Sequence, residues 1–165
     1  MKKAGSITQH LAALLLCLFS MSVSHADTGI TIFEKESYQQ ILDRYQGKPL
    51  LLNFWSLDCP PCLKEFSVLS EISRQLPDIS IVMVSVDGAD TMAEAQQTLN
   101  QHGLGHLEHW IFPENHDPVL RYQVDPLWYG ELPRNYFFDR QQQRLAHSGS
   151  FSLEQVKDWL ASLDK

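Results

Sequence analysis

Cysteine is scarce in this 165-residue chain, which has three: Cys17, Cys59 and Cys62. So few exclude a disulfide-stapled scaffold, in which several bridges substitute for a core. Basic residues are also few, 13 Lys and Arg against 20 Asp and Glu, for a net charge of −7. Phosphate contacts need Lys and Arg, so nucleic acid and an anionic membrane face are excluded as partners. No Gly-rich loop follows a strand to cradle a phosphate, and no G-x-S-x-G elbow is present, so neither a nucleotide enzyme nor a serine hydrolase is indicated. Between Asp27 and Lys165 there is no repeat, low-complexity tract or linker.

What is there begins with a leader. Met1-Lys2-Lys3 precedes an apolar run from Leu11 to Val23 and then Ser24-His25-Ala26. A basic start, a short apolar region and small residues before Asp27 predict a signal peptide over 1–26, cleaved after Ala26. The alternative, an uncleaved anchor, meets an apolar run shorter than the roughly 17–25 residues of a spanning helix. Cys17 lies inside this run after Leu14-Leu15-Leu16 and lacks the small residue that precedes a lipid-modified cysteine. Residues 27–165 then form one domain, long enough for its own core. Without Lys2 and Lys3 it carries 11 basic and 20 acidic side chains, a charge of −9. Outside the cytoplasm it meets oxidants, so a lone reactive thiol pair needs a partner to keep it in its working state.

The hydrophobic pattern alternates strand and helix. A strand near 30–33 precedes a helix over about 37–45, where Tyr38, Ile41, Leu42 and Tyr45 recur at helical spacing before Gly47. Leu50–Trp55 is an apolar strand. Cys62, Phe66, Leu69, Ile72 and Leu76 mark one face of a long helix that Pro77 ends, and 79–86 is a near-continuous apolar strand suited to a doubly covered position. A helix over 92–101, a strand over 109–112, one helical turn at 118–122, a hairpin of 135–139 and 144–148, and a helix over 153–163 complete the chain. The order is that of an α/β domain, with parallel strands first and an antiparallel hairpin last.

Cys59-Pro60-Pro61-Cys62 sits where the strand 50–55 hands over to a helix. Two thiols at this spacing can close a disulfide without moving the backbone, and the first is acidified by the helix start. Asp58 opposes that ionisation by its charge. Pro60 and Pro61 lack N–H groups and remove two donors to a thiolate. Because strong oxidants rest on a stabilised reduced thiolate, the flanks favour a reductant.

A different reading of the same thiols is metal binding, zinc or copper, with His102, His106 or His109 completing the ligand set. Those histidines straddle Gly103 and Gly105 instead of sharing a helix face, and they read as solvated loop residues.

Phe54-Trp55, three residues, Cys59-Pro60-Pro61-Cys62 and Lys64-Glu65-Phe66 together resemble the strand–CxxC–helix segment of the thioredoxin superfamily, and within it the exported proteins of the TlpA and ResA type. Leu132-Pro133, before an apolar strand and Asp139, resembles the family's cis-proline loop. The resemblance implies a thioredoxin-like fold, a central mixed β-sheet flanked by helices, here with an N-terminal β-α extension. It implies a protein thiol–disulfide oxidoreductase without a cofactor, working in the periplasm of a Gram-negative bacterium on protein substrates such as those of cytochrome c biogenesis. Its electrons would come from an inner-membrane thiol transporter of the DsbD or CcdA kind.

By the same resemblance Cys59, at an exposed helix start, attacks, and Cys62, one turn in, resolves the mixed disulfide. Leu132 and a cis Pro133 would offer backbone groups to a substrate. Two readings stay open at Glu65: proton exchange with Cys62, or a solvated helix-surface carboxylate. Trp55 either shields the disulfide or fills the core, or does both. Three positions depart from the pattern. Asn53 stands where cytoplasmic thioredoxins carry a buried Asp, Asp58 replaces an aromatic residue, and Arg134 replaces a small residue after extra length at Trp128-Tyr129-Gly130-Glu131.

Overall fold

The computed structural model describes residues 29–114 and 118–163. The leader over 1–26, with Cys17, lies outside these residues. Among the described residues no helix is long and apolar enough to cross a membrane.

Five helices and six strands follow the expected order: β1 (Ile30–Ile32), α1 (Ser37–Arg44), β2 (Leu50–Trp55), α2 (Pro60–Gln75), β3 (Ser80–Ser85), α3 (Met92–Gln101), β4 (Glu108–Ile111), α4 (Pro118–Val124), β5 (Arg134–Phe138), β6 (Arg144–Ser148) and α5 (Leu153–Ser162). A short 3-10 turn, Ala89–Thr91, leads into α3. Gly47, at φ +79°, supplies the left-handed turn between α1 and β2. The segment after 118 was expected to make one turn and makes two, because Leu120 and Val124 bury themselves against the sheet.

The strands form one mixed sheet in the order β1-β4-β3-β2-β5-β6. β1, β4, β3 and β2 run parallel, while β5 is antiparallel to β2 and β6 to β5. All six residues of β2 are buried, Asn53 included, as in a strand covered on both faces. Alternation then sorts the side chains. Leu50, Leu52 and Phe54 join Val82, Val84, Tyr136 and Phe138 in one core layer, under α1 and α4. Leu51 and Trp55 join Ile81, Met83 and Phe137 in the other, under α2, α3 and α5.

This topology gathers chemistry at one end of the sheet. β2 delivers the chain to Cys59 at its C-terminal end. Phe54 lies opposite Arg134 in the antiparallel register, so Pro133 falls at that same end.

Candidate active site

Cys59 and Cys62 form a disulfide with an S–S distance of 1.97 Å and a Cα–Cα distance of 5.2 Å. Cys59 is the N-cap of α2, and Pro60 and Pro61 occupy its first positions, where the missing N–H groups cost the helix nothing. Cys62 N–H donates to Cys59 Sγ at 3.2 Å. Cys59 was expected to be exposed, yet it is only 8% accessible, because it packs into the cluster that holds Trp55 and Phe66. It remains the more accessible sulfur residue of the pair, Cys62 being 0% exposed. Trp55 is itself buried and meets Phe66 edge to face at 4.9 Å. It fills the core in the same cluster as both cysteines, as its core reading expects.

The loop that presents Cys59 is tethered by a residue for which the sequence carried no signal. The Asp87 carboxylate accepts from Ser56 Oγ at 2.8 Å and from Leu57 N at 2.9 Å, and Ser85 Oγ holds it in turn at 2.6 Å. Only the parallel pairing of β2 with β3 brings residues 56 and 87 together.

Glu65, one turn beyond Cys62, is 1% exposed, which removes the solvated reading. Asn53 Nδ2 donates to its Oε2 at 2.9 Å, Asn135 Nδ2 to its Oε1 at 3.2 Å, and Phe151 N to its Oε1 at 3.3 Å. Asn53 and Asn135 face each other across β2 and β5, and Asn53 Nδ2 also donates to Asn135 Oδ1 at 2.7 Å. Burial pushes the Glu65 carboxyl up to about 7, against the pull of Asn135, Phe151 and Asn53. The carboxyl is therefore poised to hold or release a proton near neutrality.

The Leu132–Pro133 peptide bond is cis, as the resemblance implies. Pro133 is buried, and its carbonyl accepts from Gly149 N at 2.9 Å. Leu132 packs against the cluster that contains both cysteines and Trp55. Behind it, Arg134 is buried with its guanidinium fully engaged. Its Nη2 meets Asp125 Oδ2 at 2.8 Å, its Nε donates to Tyr136 Oη at 3.0 Å, and its Nη1 meets Glu131 Oε1 at 3.1 Å and Ser148 Oγ. Arg134, which departs from the small residue of the pattern, is the hub joining β5, the 125–131 loop and β6.

The histidines of the metal reading are not brought to the cysteines. His102 packs edge-on against Phe66 at 5.2 Å, and His106 pairs with Ser73 Oγ at 2.7 Å. His109 was read as a solvated loop residue and is buried on β4, bonded to Leu104 O at 2.9 Å, with burial lowering its pKa. Alternation along β4 turns it inward. Among the described residues no three His, Cys, Asp or Glu side chains converge as a metal site would require.

A mixed sheet with a dithiol at the C-terminal end of a central strand, and a proline loop beside it, defines a thioredoxin-fold redox protein. Residues 29–145 match the AhpC/TSA family, and the chain belongs to it. Thiol-disulfide oxidoreductase ResA of Bacillus anthracis is 22% identical over 144 residues, covering 87% of this chain and 79% of that protein. Thiol:disulfide interchange protein DsbE of Pasteurella multocida is 32% identical over 72 residues, 44% of this chain and 37% of the relative. Among solved structures, a secreted Mycobacterium tuberculosis disulfide oxidoreductase superposes with a TM-score of 0.58 at 20% identity, over 73% of this chain and 86% of that one. A secreted thiol-disulfide isomerase from Corynebacterium glutamicum gives 0.62 at 20% identity, over 75% of each chain. The protein is an enzyme of the thiol–disulfide oxidoreductase class.

Proposed function

We propose that the protein is an exported disulfide reductase, released into the periplasm by cleavage after Ala26, that cycles Cys59 and Cys62 through a mixed disulfide with a protein substrate. In the reduced enzyme the Cys59 thiolate attacks one sulfur of a substrate disulfide. That bond breaks, a Cys59–substrate disulfide forms, and the first substrate thiolate leaves and takes up a proton. Glu65 accepts the proton of Cys62, whose thiolate then attacks Cys59 Sγ and releases the second substrate thiol. Two electrons pass to the substrate, and the enzyme is left with the Cys59–Cys62 disulfide. Leu132 and Pro133 border the attacking sulfur and receive the substrate backbone, and Trp55 shields the pair from below. An inner-membrane dithiol transporter of the DsbD or CcdA kind restores the dithiol, and the substrates include disulfides of the cytochrome c assembly type.

The observation that carries the direction is the poverty of donors at Cys59. One hydrogen bond reaches its sulfur among the described residues, from Cys62 N, because positions 60 and 61 are prolines. A thiolate so weakly held gives a reducing couple. Equilibration of the purified protein with glutathione buffers tests this: the disulfide should persist well into reducing mixtures, and a couple reduced as readily as a strong oxidant's overturns the direction.

A further inference from the structure

Large exposed hydrophobic side chains are few, and their distribution is uneven. Among the described residues they are Val119, Tyr122, Leu127, Tyr129 and Leu145, and four of these five fall on α4 and the loop behind it. Single exposed hydrophobics need no explanation, but a group beside a reactive centre marks a contact surface. Leu127 is 72% exposed and Tyr129 87%.

The loop does not carry these side chains loosely. Trp128, between them, turns inward and packs against Phe54 at 4.8 Å, while its Nε1 donates to Glu131 O at 2.9 Å. Asp125 accepts from Leu127 N through its side chain at 3.0 Å and from Trp128 N through its carbonyl at 3.0 Å. Gly130, at φ +101°, makes the turn, and a Cβ there would approach the Arg121 guanidinium at 3.7 Å. A pinned loop with two outward apolar side chains loses little freedom when it binds.

Its charge is also distinctive in so acidic a chain. Asp125 and Glu131 are answered by Arg134, and Asp125 again by Arg144 at 3.4 Å. The loop thus presents apolar surface over a locally balanced charge, which suits an uncharged, apolar ligand over a basic one. Position completes the argument. Tyr129 is three residues from Leu132, at most about 10 Å of chain; Leu132 packs against both core layers, the one with the cysteines among them, and precedes Pro133 at the end of the sheet where β2 delivers Cys59.

We propose that Leu127 and Tyr129 form a docking surface for an apolar side chain that neighbours the reactive cysteine in a polypeptide substrate. The proposal rests on the reductase reading above and names the substrate feature that the same site selects.

Two disulfide-bridged peptides that differ only in leucine or serine next to one cysteine test it, with hydroxyethyl disulfide as a small reference substrate. The intact protein should prefer the leucine peptide by about tenfold in kcat/KM, the order that covering one leucine-sized side chain supplies, and mainly through KM. In Tyr129→Ser combined with Leu127→Ser the ratio should fall to near one, each peptide rate being normalised to hydroxyethyl disulfide turnover by the same protein. Both positions are exposed, so the fold does not depend on them. A preference that survives the double substitution, or is missing from the intact protein, overturns the docking surface while hydroxyethyl disulfide is still reduced. Failure of the intact protein to reduce any of the three substrates overturns the reductase reading and this proposal with it.

Discussion

Asn53 donates its Nδ2 to Glu65 Oε2 at 2.9 Å, while its own buried Oδ1 has no partner among the described residues. The pocket around Glu65 thus offers N–H donors to a carboxylate and one idle acceptor to a protonated side chain. Burial dominates and raises the carboxyl from its ordinary 4.5 to about 7. Between those values the folded protein binds more protons than the unfolded chain, so stability falls as pH rises across the window and levels off above it. The full effect is about 3 kcal/mol. In Glu65→Gln the single amide oxygen can keep the bonds from Asn135 Nδ2 and Phe151 N, while the NH₂ gives up the bond from Asn53 Nδ2 and can turn toward Asn53 Oδ1. Urea unfolding of the oxidised protein at about pH 5 and about pH 8 should show a clear loss of stability in the parent and almost none in Glu65→Gln; equal slopes in both would remove the charge from the argument.

The same carboxyl should appear in catalysis. If Glu65 takes the Cys62 proton, the rate of resolution of a preformed mixed disulfide at Cys59 rises with pH through an inflection near 7. Glu65→Gln should resolve more slowly, by about 100-fold or more, with the inflection displaced to the intrinsic range of a thiol. Stopped-flow measurement of thiol release reads this step directly, and an unchanged profile would assign the proton to another group.

Turnover should separate the two cysteines. Cys59→Ser removes the attacking sulfur and should abolish reduction of a peptide disulfide while the protein still melts cooperatively. Cys62→Ala leaves Cys59 able to attack with nothing to resolve it, so mixed disulfides should accumulate and be visible on non-reducing gels. Turnover at the parental rate by Cys59→Ser would refute the mechanism, and so would trapping in Cys59→Ser but not in Cys62→Ala.

The legibility of this site follows the distance over which its signals act. The dithiol, Trp55 and the start of α2 lie within eight residues, and helix-start chemistry, apolar alternation and the Pro-Pro pair are all local; each element of the sheet was visible to within a few residues for the same reason. Asn135 was not legible as a partner of Glu65, because it arrives through the β2–β5 register, 82 positions from Asn53. Asp87 and Asp125 are likewise acids with partners from elsewhere in the chain, and an acid just past the end of a strand or helix looks the same whether it is solvated or buried. His109 misled because it groups with the loop histidines across Gly103 and Gly105, although it opens the strand expected over 109–112; in β4 its side chain is buried.

Asp58 bears on the thiol from the exposed side. Its carboxylate is adjacent to Cys59 in sequence and open to solvent, so its field reaches the sulfur through a medium close to water. A unit charge about 7 Å away in such a medium shifts a pKa by about 0.5 unit. Asp58→Asn should therefore lower the Cys59 pKa by about this much, and the shift should shrink in high salt. Thiolate ultraviolet absorbance, measured in a Cys62→Ser background so that one thiol titrates, gives the value; a rise in pKa would reverse the assigned sign.

Arg134 and Asp125 set the last expectation. Their side chains are 10% and 5% exposed and meet at 2.8 Å. Burial alone would raise the Asp125 carboxyl, but Leu127 N–H, Arg134 and Arg144 hold it below the usual range. Its contribution to stability is thus present above the ordinary carboxylate pKa and lost as pH falls through the depressed one. Arg134→Met strands a buried carboxylate and should cost about 3 kcal/mol, the low end for breaking such a pair because Arg144 remains beside it. Asp125→Leu strands the guanidinium, which still has Glu131 and Ser148, and should cost less. Together the two substitutions leave apolar groups facing each other, so the double variant should be more stable than Arg134→Met alone, with a coupling of about 1–3 kcal/mol. A double-mutant cycle by urea unfolding measures this. Strict additivity would mean that the pair does not hold the loop, and that Trp128 and Gly130 suffice to keep Leu127 and Tyr129 in place.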